Sequence, residues 1–301
     1  MDLTALLGPV TLRTPLIAAS GTVGVVDDWV KVGAPEAFGA AVAKSVSADP
    51  WSGRPPPRLA PVGAGMLNGI GIQNPGIDVW TTEHGGLLGG LGVPVWGSAV
   101  GRSPEEYAVV AKGLAEAGVG AIEVNLSCPN LEDGRMFALD AGATARVVSA
   151  ARSAVEVPLG AKLSPNAEDI ADVAQAAIDS GADWLVLTNT VWGAAIDLNT
   201  RKPVLSGGIG GYSGPPLKPI ALRCVLEVRK ALPAVPIVGC GGVTTGGDVV
   251  EYLMAGANAV AVGTANLAEP AAGRRILAEF EGWCRRRGIF RVGDLVGSVQ
   301  V

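Results

Sequence analysis

The chain has 301 residues, of which 49% are apolar and 17% charged, and a formal net charge of −5. That composition supplies a large core and gives no sign of disorder, while the acidic balance, interrupted by one basic run at Arg285, Arg286 and Arg287, argues against a nucleic-acid surface. No apolar run approaches the roughly 20 residues of a membrane helix, and Cys128, Cys224, Cys240 and Cys284 show no C-x-x-C spacing, so no membrane span, zinc site or iron–sulfur site is expected within the chain, and a cytoplasmic setting is.

In chain order, apolar and β-branched runs predict strands over 15–20, 39–46, 93–99, 120–127, 158–163, 183–190, 235–240 and 258–264. Helical patterns fall between them over 104–117, 143–155, 167–180, 216–231 and 246–255, with 270–287 after the last strand. A weak repeat, "LAEAGVGAIEVNLS", "AAIDSGADWLVLTN" and "YLMAGANAVAVGT", marks each passage from a helix end through a glycine turn into a strand. Eight such strands alternating with helices predict a closed TIM (β/α)8 barrel forming one domain over 1–301, with an open doubly wound sheet as the alternative. The arginine run then reads as the solvated end of the last helix. His84, the sole histidine, stands in "EHGGLLGGLG" and is expected in an exposed loop, so proton transfer must rely on another group.

Two stretches, 51–76 and 199–218, are rich in glycine and proline, too long for ordinary connections, and follow strand C-terminal ends. Barrel enzymes place their chemistry on that face, so both are expected to be lids or binding loops. Its strand ends carry Ala19, Ser20, Gly21, Lys44, Ser45, Ser98, Asn125, Ser127, Cys128, Lys162, Thr188, Asn189, Thr190, Gly241, Gly242, Gly263 and Thr264. Lys44 and Lys162 each interrupt an apolar strand, and burying an unpaired ammonium is costly, so both are expected to face a ligand. The glycine pairs after the seventh and eighth strands, with "GGYSGP" at 210–215, point to a phosphate-bearing cofactor held on backbone N–H groups. No G-x-G-x-x-G fingerprint supports a dinucleotide.

Asn125, Asn130, Asn68 and Asn189 offer carboxamides that donate and accept without charge, which suits a planar heterocycle such as a pyrimidine or a flavin. Each alone is more readily a turn former; together, at strand ends, they point to recognition. Cys128, beside them in "NLSCPN", is the candidate acid–base group, or else a buried small hydrophobe. The other three cysteines are expected to be inert packing residues.

The motifs "ASG", "AKS", "LNGIGIQNPG", "NLSCPN", "AKLSPN", "TNT", "GGYSGPPLKPIAL", "GCGGV" and "AVAVGTA", collinear from about residue 15 to 270, resemble the dihydroorotate dehydrogenases of pyrimidine biosynthesis. A cysteine in the catalytic loop resembles the soluble class 1 enzymes, and "CPNLEDGRMFALD" with "LNGIGIQNPGID" looks like their B-type catalytic subunit. The resemblance implies FMN as cofactor and dihydroorotate as substrate. It also implies a partner subunit carrying FAD and an iron–sulfur cluster that passes electrons to NAD, in a homodimer or heterotetramer. Cys128 would take the proton from carbon 5 while carbon 6 gives hydride to flavin N5. Lys44, Asn68, Gly69, Ile70, Gly71, Ile72, Asn125, Asn189 and Thr190 would line the substrate with Asn130 beside them. Ser20, Gly21, Lys44, Ser45, Asn125, Lys162 and Thr188 would hold the flavin, with Gly214, Gly241, Gly242, Gly263 and Thr264 near its phosphate. Lys162 would place positive charge where the reduced flavin becomes anionic.

One departure is Ser98 in "VWGSAVG", where the family usually has an asparagine near the flavin; a shorter hydroxyl would reach through a water. Trp80, Trp96 and Trp192 are unusual too, and Trp192, just after "TNT", either narrows the pocket or packs. Three other readings stay open: a related flavin enzyme acting on another dihydropyrimidine, a cofactor-free phosphate-binding lyase or isomerase using Lys162 as a Schiff-base amine, and a scaffold subunit without catalysis.

Overall fold

The computed structural model describes residues 1–127 and 136–300. Eight parallel strands close a barrel in chain order, so the open-sheet alternative is set aside: β1 (Leu16–Ala18), β2 (Ala40–Val42), β3 (Val95–Ala99), β4 (Ile122–Asn125), β5 (Leu159–Lys162), β6 (Trp184–Leu187), β7 (Ile237–Cys240) and β8 (Ala259–Val262). Every predicted strand is present but shorter than its apolar run. The runs continue past the last ladder bonds into the rim, as Ala43–Ser45 and Thr188–Thr190 do.

Strand side chains alternate between two environments. Leu16, Ala18, Val124, Ala161, Leu185, Leu187, Val260 and Val262 face the surrounding helices, while Ile17, Ala40, Val42, Trp96, Ala121, Trp184, Val186, Val238, Ala259 and Ala261 fill the interior. Trp96 and Trp184 pack there with ring centroids 5.2 Å apart. Gly160 of β5 must lack a side chain, because a Cβ would run into the Trp184 indole. An N-terminal hairpin, Ala5–Leu7 with Val10–Leu12, adds Ala5, Leu7 and Leu12 to the same interior cluster.

The helices are α1 (Ile77–His84), α2 (Pro104–Glu116), α3 (Ala141–Ala154), α4 (Ile170–Asp179), α5 (Lys218–Ala231), α6 (Gly246–Met254), α7 (Ala265–Ala268) and α8 (Ala272–Arg286). Side chains set their starts: Ser103 accepts from the Glu106 N–H, Asp169 from Ala171 and Asp172, and Thr245 with Asp248 forms a reciprocal capping box. Arg285, Arg286 and Arg287 are exposed at the end of α8. Among the described residues no helix is long and apolar enough to cross a membrane.

His84 is not in an exposed loop. It closes α1, a helix that the flanking glycines hid, and is half-buried with Nδ1 3.6 Å from Asp27 Oδ2. Nor are the two glycine-rich stretches loops throughout. The first contributes two strands and the second one to an antiparallel sheet ordered Val191–Gly193, Gly210–Ser213, Gly65–Asn68 and Leu59–Val62. Ala60, Leu67 and Leu205 form a small core of its own.

Candidate functional site

At the C-terminal mouth of the barrel a hydrogen-bonded chain joins residues at the ends of four strands, β2, β3, β4 and β6. Ser98 and Ser45 share a bond of 2.9 Å between their hydroxyls, and Asn125 donates its Nδ2 to Ser45 Oγ at 3.2 Å. Asn189 in turn donates Nδ2 to Asn125 Oδ1 at 3.2 Å, and its own Oδ1 accepts the Thr190 N–H at 2.8 Å. Thr190 packs on Gly211, whose carbonyl accepts Nδ2 of Asn68 at 3.1 Å. Seven positions between Ser45 and Gly211 are thus brought together at the mouth, which local sequence patterns place on one rim but cannot link.

Asn125 is the hub. It is 7% exposed, its carbonyl accepts the Tyr107 hydroxyl at 2.7 Å, and its Oδ1 also accepts the Ser127 N–H at 3.3 Å. Ser127 donates its hydroxyl to the Lys162 carbonyl at 3.0 Å, pinning the turn after β4 to β5. Cys128 and Asn130 lie outside the described residues.

Lys162 ends β5 pointing into the barrel, with Nζ 3.3 Å from Glu123 Oε1 and side-chain exposures of 7% and 5%. Glu123 was missed at the sequence level, although it interrupts the apolar run "AIEVN" as the lysines interrupt theirs. Cys240 was placed among inert packing residues. It closes β7 inside the barrel among apolar side chains, a buried thiol that burial pushes up, in keeping with a packing role. Cys224 and Cys284 are buried in helices as expected, with burial raising the Cys224 thiol to about 11.

The other nominated residues divide by position. Ser20 is half-buried and donates its hydroxyl to the Ala43 carbonyl at 2.7 Å, Lys44 is half-buried at the end of the β2 extension, and Thr188 is buried with its N–H on the Cys240 carbonyl. Ser98 is fully buried, so its hydroxyl braces Ser45 rather than reaching into the opening itself. Gly69, Ile70 and Gly71 lie against Arg54: Arg54 N–H donates to the Ile70 carbonyl at 3.0 Å, and a Cβ on Gly71 would come 2.6 Å from Arg54 N. Ile72 turns its side chain into the main core, so only its backbone can serve the site. The loop's organiser is Asn74, also missed, whose Oδ1 accepts the N–H groups of Ser47 and Gly76 and whose Nδ2 donates to the Ser47 hydroxyl. Of the three tryptophans, Trp80 is buried on α1, Trp96 lies inside the barrel, and Trp192 stands 48% exposed on the rim sheet.

Gly214, Gly241, Gly242, Gly263 and Thr264 meet at one side of the mouth. Gly242 has φ +71° and a Cβ there would lie 2.7 Å from Lys218 N and 3.0 Å from Gly214 O, at the start of α5. Gly21 has nothing within 4 Å of an added Cβ, and Gly263 meets only Ala19 and Thr22 at 3.7 Å and 3.9 Å. Thr264 donates its hydroxyl to Ser213 at 3.0 Å, closing the group against the rim sheet. Bare backbone at one end, carboxamides and hydroxyls across the middle and one buried ammonium below fit a phosphate-bearing group with a flat, amide-edged ring.

A family model described as dihydroorotate dehydrogenase matches residues 3–282. The catalytic subunit of dihydroorotate dehydrogenase B (NAD(+)) from Pelobacter propionicus is 44% identical over 301 residues, covering 99% of each chain. The subunit of the same name from Geobacter sulfurreducens is 43% identical over 302 residues, covering 100% of this chain and 99% of its own. A solved structure, DHODH from Eimeria tenella in complex with ferulenol, superposes with a TM-score of 0.82 over 99% of this chain and 88% of that one at 22% identity. That last likeness concerns the fold alone.

Proposed function

The chain belongs to the dihydroorotate dehydrogenase family, and from that membership we infer that it oxidises (S)-dihydroorotate to orotate in the de novo synthesis of UMP, with FMN as its resident cofactor. The observation that carries the reading at the level of residues is the chain from Ser98 through Ser45, Asn125 and Asn189 to Thr190, set above the buried Lys162. FMN, when bound, supplies the two-electron acceptor.

Asn125 and Asn189 present oriented carboxamides to the ring and the substrate. Their mutual bonds hold them before anything binds, so little ordering remains to be done on binding. Lys162, almost wholly buried, would hold a positive charge beside the bound ring, where a charge acts more strongly than in water. Gly214, Gly241, Gly242, Gly263 and Thr264 offer backbone N–H groups and open space to the phosphate. Asn68 and Thr190, both against Gly211, hold the substrate with Lys44 and the backbone of 69–72. Cys128 is the base at carbon 5, a role that rests on the motif "NLSCPN".

The names of the relatives support a separate electron-transfer subunit that links this chain to NAD, and we assign that subunit FAD and an iron–sulfur cluster in a cytoplasmic heterotetramer, with a homodimer of this chain as the simpler assembly. A lyase using Lys162 as a Schiff-base amine is disfavoured, because an ammonium ion-paired with Glu123 is not the free amine such chemistry needs. Purified chain is expected to be yellow and to bleach when dihydroorotate is added without oxygen. A colourless protein, or one bleached by dihydrouracil and not by dihydroorotate, would overturn the reading.

A further inference from the structure

We propose that Glu123 is the counter-charge that governs how strongly Lys162 acts on the flavin, a positioning residue that holds the ammonium in place and sets the redox potential of the site. The inference rests on the FMN reading above. Glu123 and Asn125 point to the same side of β4, and Asn125 is level with Lys162 on the neighbouring strand. The carboxylate therefore lies one pleat below the residue that faces the opening, and it meets Lys162 Nζ at 3.3 Å with both side chains almost wholly buried.

A buried ion pair of this kind is a poor stability device. Desolvating two charges cancels most of their attraction, and apolar side chains of similar volume serve as well or better. The rest of the interior is built in that apolar way, from Ile17, Val42, Trp96, Trp184, Val186 and Val238. One acid and one base kept among them call for a use beyond packing.

The use follows from charge balance. With Glu123 beside it, Lys162 adds no net charge to the interior while the flavin is oxidised and neutral. Lys162 would stabilise negative charge on a reduced flavin and Glu123 would oppose it. The acid thereby lowers the site's preference for reduced over oxidised flavin below what an unopposed lysine would give. Cys240, the third polar group here, is a buried thiol and brings no charge of its own.

The test is the midpoint potential of bound FMN, which reports the ratio of affinities for the reduced and oxidised forms. In Glu123→Gln that ratio is expected to rise tenfold or more, about 30 mV for a two-electron couple, with FMN content and melting temperature measured on the same sample. Glu123→Asp keeps the charge and is expected to stay within threefold of the parent. A ratio in Glu123→Gln that is unchanged or lower overturns the proposal, since a purely structural role would alter stability and leave the potential alone. Should that variant not fold, the double variant Glu123→Gln/Lys162→Met leaves no charge without a partner. A ratio within threefold of the parent supports a pair of near-zero net charge, and a tenfold fall, as for loss of an unopposed cation, overturns it. A parent chain that takes up no FMN would defeat the cofactor reading itself, an outcome separate from any result on Glu123.

Discussion

Asn189 and Asn125 are bonded to each other across the mouth of the barrel, Nδ2 to Oδ1 at 3.2 Å, although β5 lies between the strands that carry them. Each orients the other, and the bond transmits that order to Ser45 on one side and Thr190 on the other. Asn189→Ala is expected to weaken FMN binding by about fivefold, the ~1 kcal/mol of a typical hydrogen bond. Asn189→Asp is expected to do worse, because it sets a carboxylate against the acceptor oxygen of Asn125. Titration of the apoprotein with FMN checks both, and an unchanged affinity for the alanine variant would remove Asn189 from the cofactor's surroundings.

The glycines at the phosphate end separate folding from binding. Gly242→Ala forces a side chain into φ +71° and within 2.7 Å of Lys218 N, so it is expected to cost about 1–3 kcal/mol and lower the melting temperature as well as FMN content. An added Cβ on Gly263 meets only ordinary contacts at 3.7 Å and 3.9 Å. Gly263→Ala should therefore melt within about 0.5 kcal/mol of the parent yet bind FMN more weakly, because the new methyl enters the cradle. Equal FMN affinity in that variant would move the phosphate elsewhere.

Asp248 ties the start of α6 to the start of α5. Burial pushes its carboxyl up, but Lys218 Nζ at 2.7 Å and the N–H groups of Thr244 and Thr245, each at 2.8 Å, outweigh that and hold it below the usual carboxylate value. A depressed value contributes stability that is present above the unfolded carboxylate range, near ~3.9, and is lost as pH falls through the folded value. Asp248→Asn is expected to cost about 1–3 kcal/mol at neutral pH and to melt with a shallower pH dependence below about pH 4. Parallel melting curves for the two proteins down to acid would show that Asp248 does not drive the acid sensitivity.

Cys128→Ser is expected to slow flavin reduction by dihydroorotate by about 10²- to 10⁴-fold while substrate affinity is largely kept, because the base alone changes. Stopped-flow reduction across neutral pH reads this directly, and a serine variant as fast as the parent would exclude the thiol as base. Cys224, whose thiol burial raises to about 11, is expected to resist alkylation in the native protein over the same range.

Much of the architecture could be read from the sequence because it is local. A strand buried on both faces writes itself as an unbroken apolar run, and a polar residue that ends such a run lies on the rim; Lys162, Asn125 and Asn189 were legible for that reason. Pairing is not local. The rim sheet joins Asn68 to Gly211 across more than a hundred residues, and glycine-rich strands carry too little alternation to announce themselves, so both stretches read as loops. Glu123 escaped for another reason: its interruption of the run "AIEVN" marks it as unusual, but only closure of the barrel brings its carboxylate to Lys162 and shows what the charge is paired with. The same closure turned Ile72 into the core, set Ser98 behind Ser45 and placed Cys240 inside the barrel, since the direction of a side chain belongs to the assembled barrel and not to the run of residues that contains it.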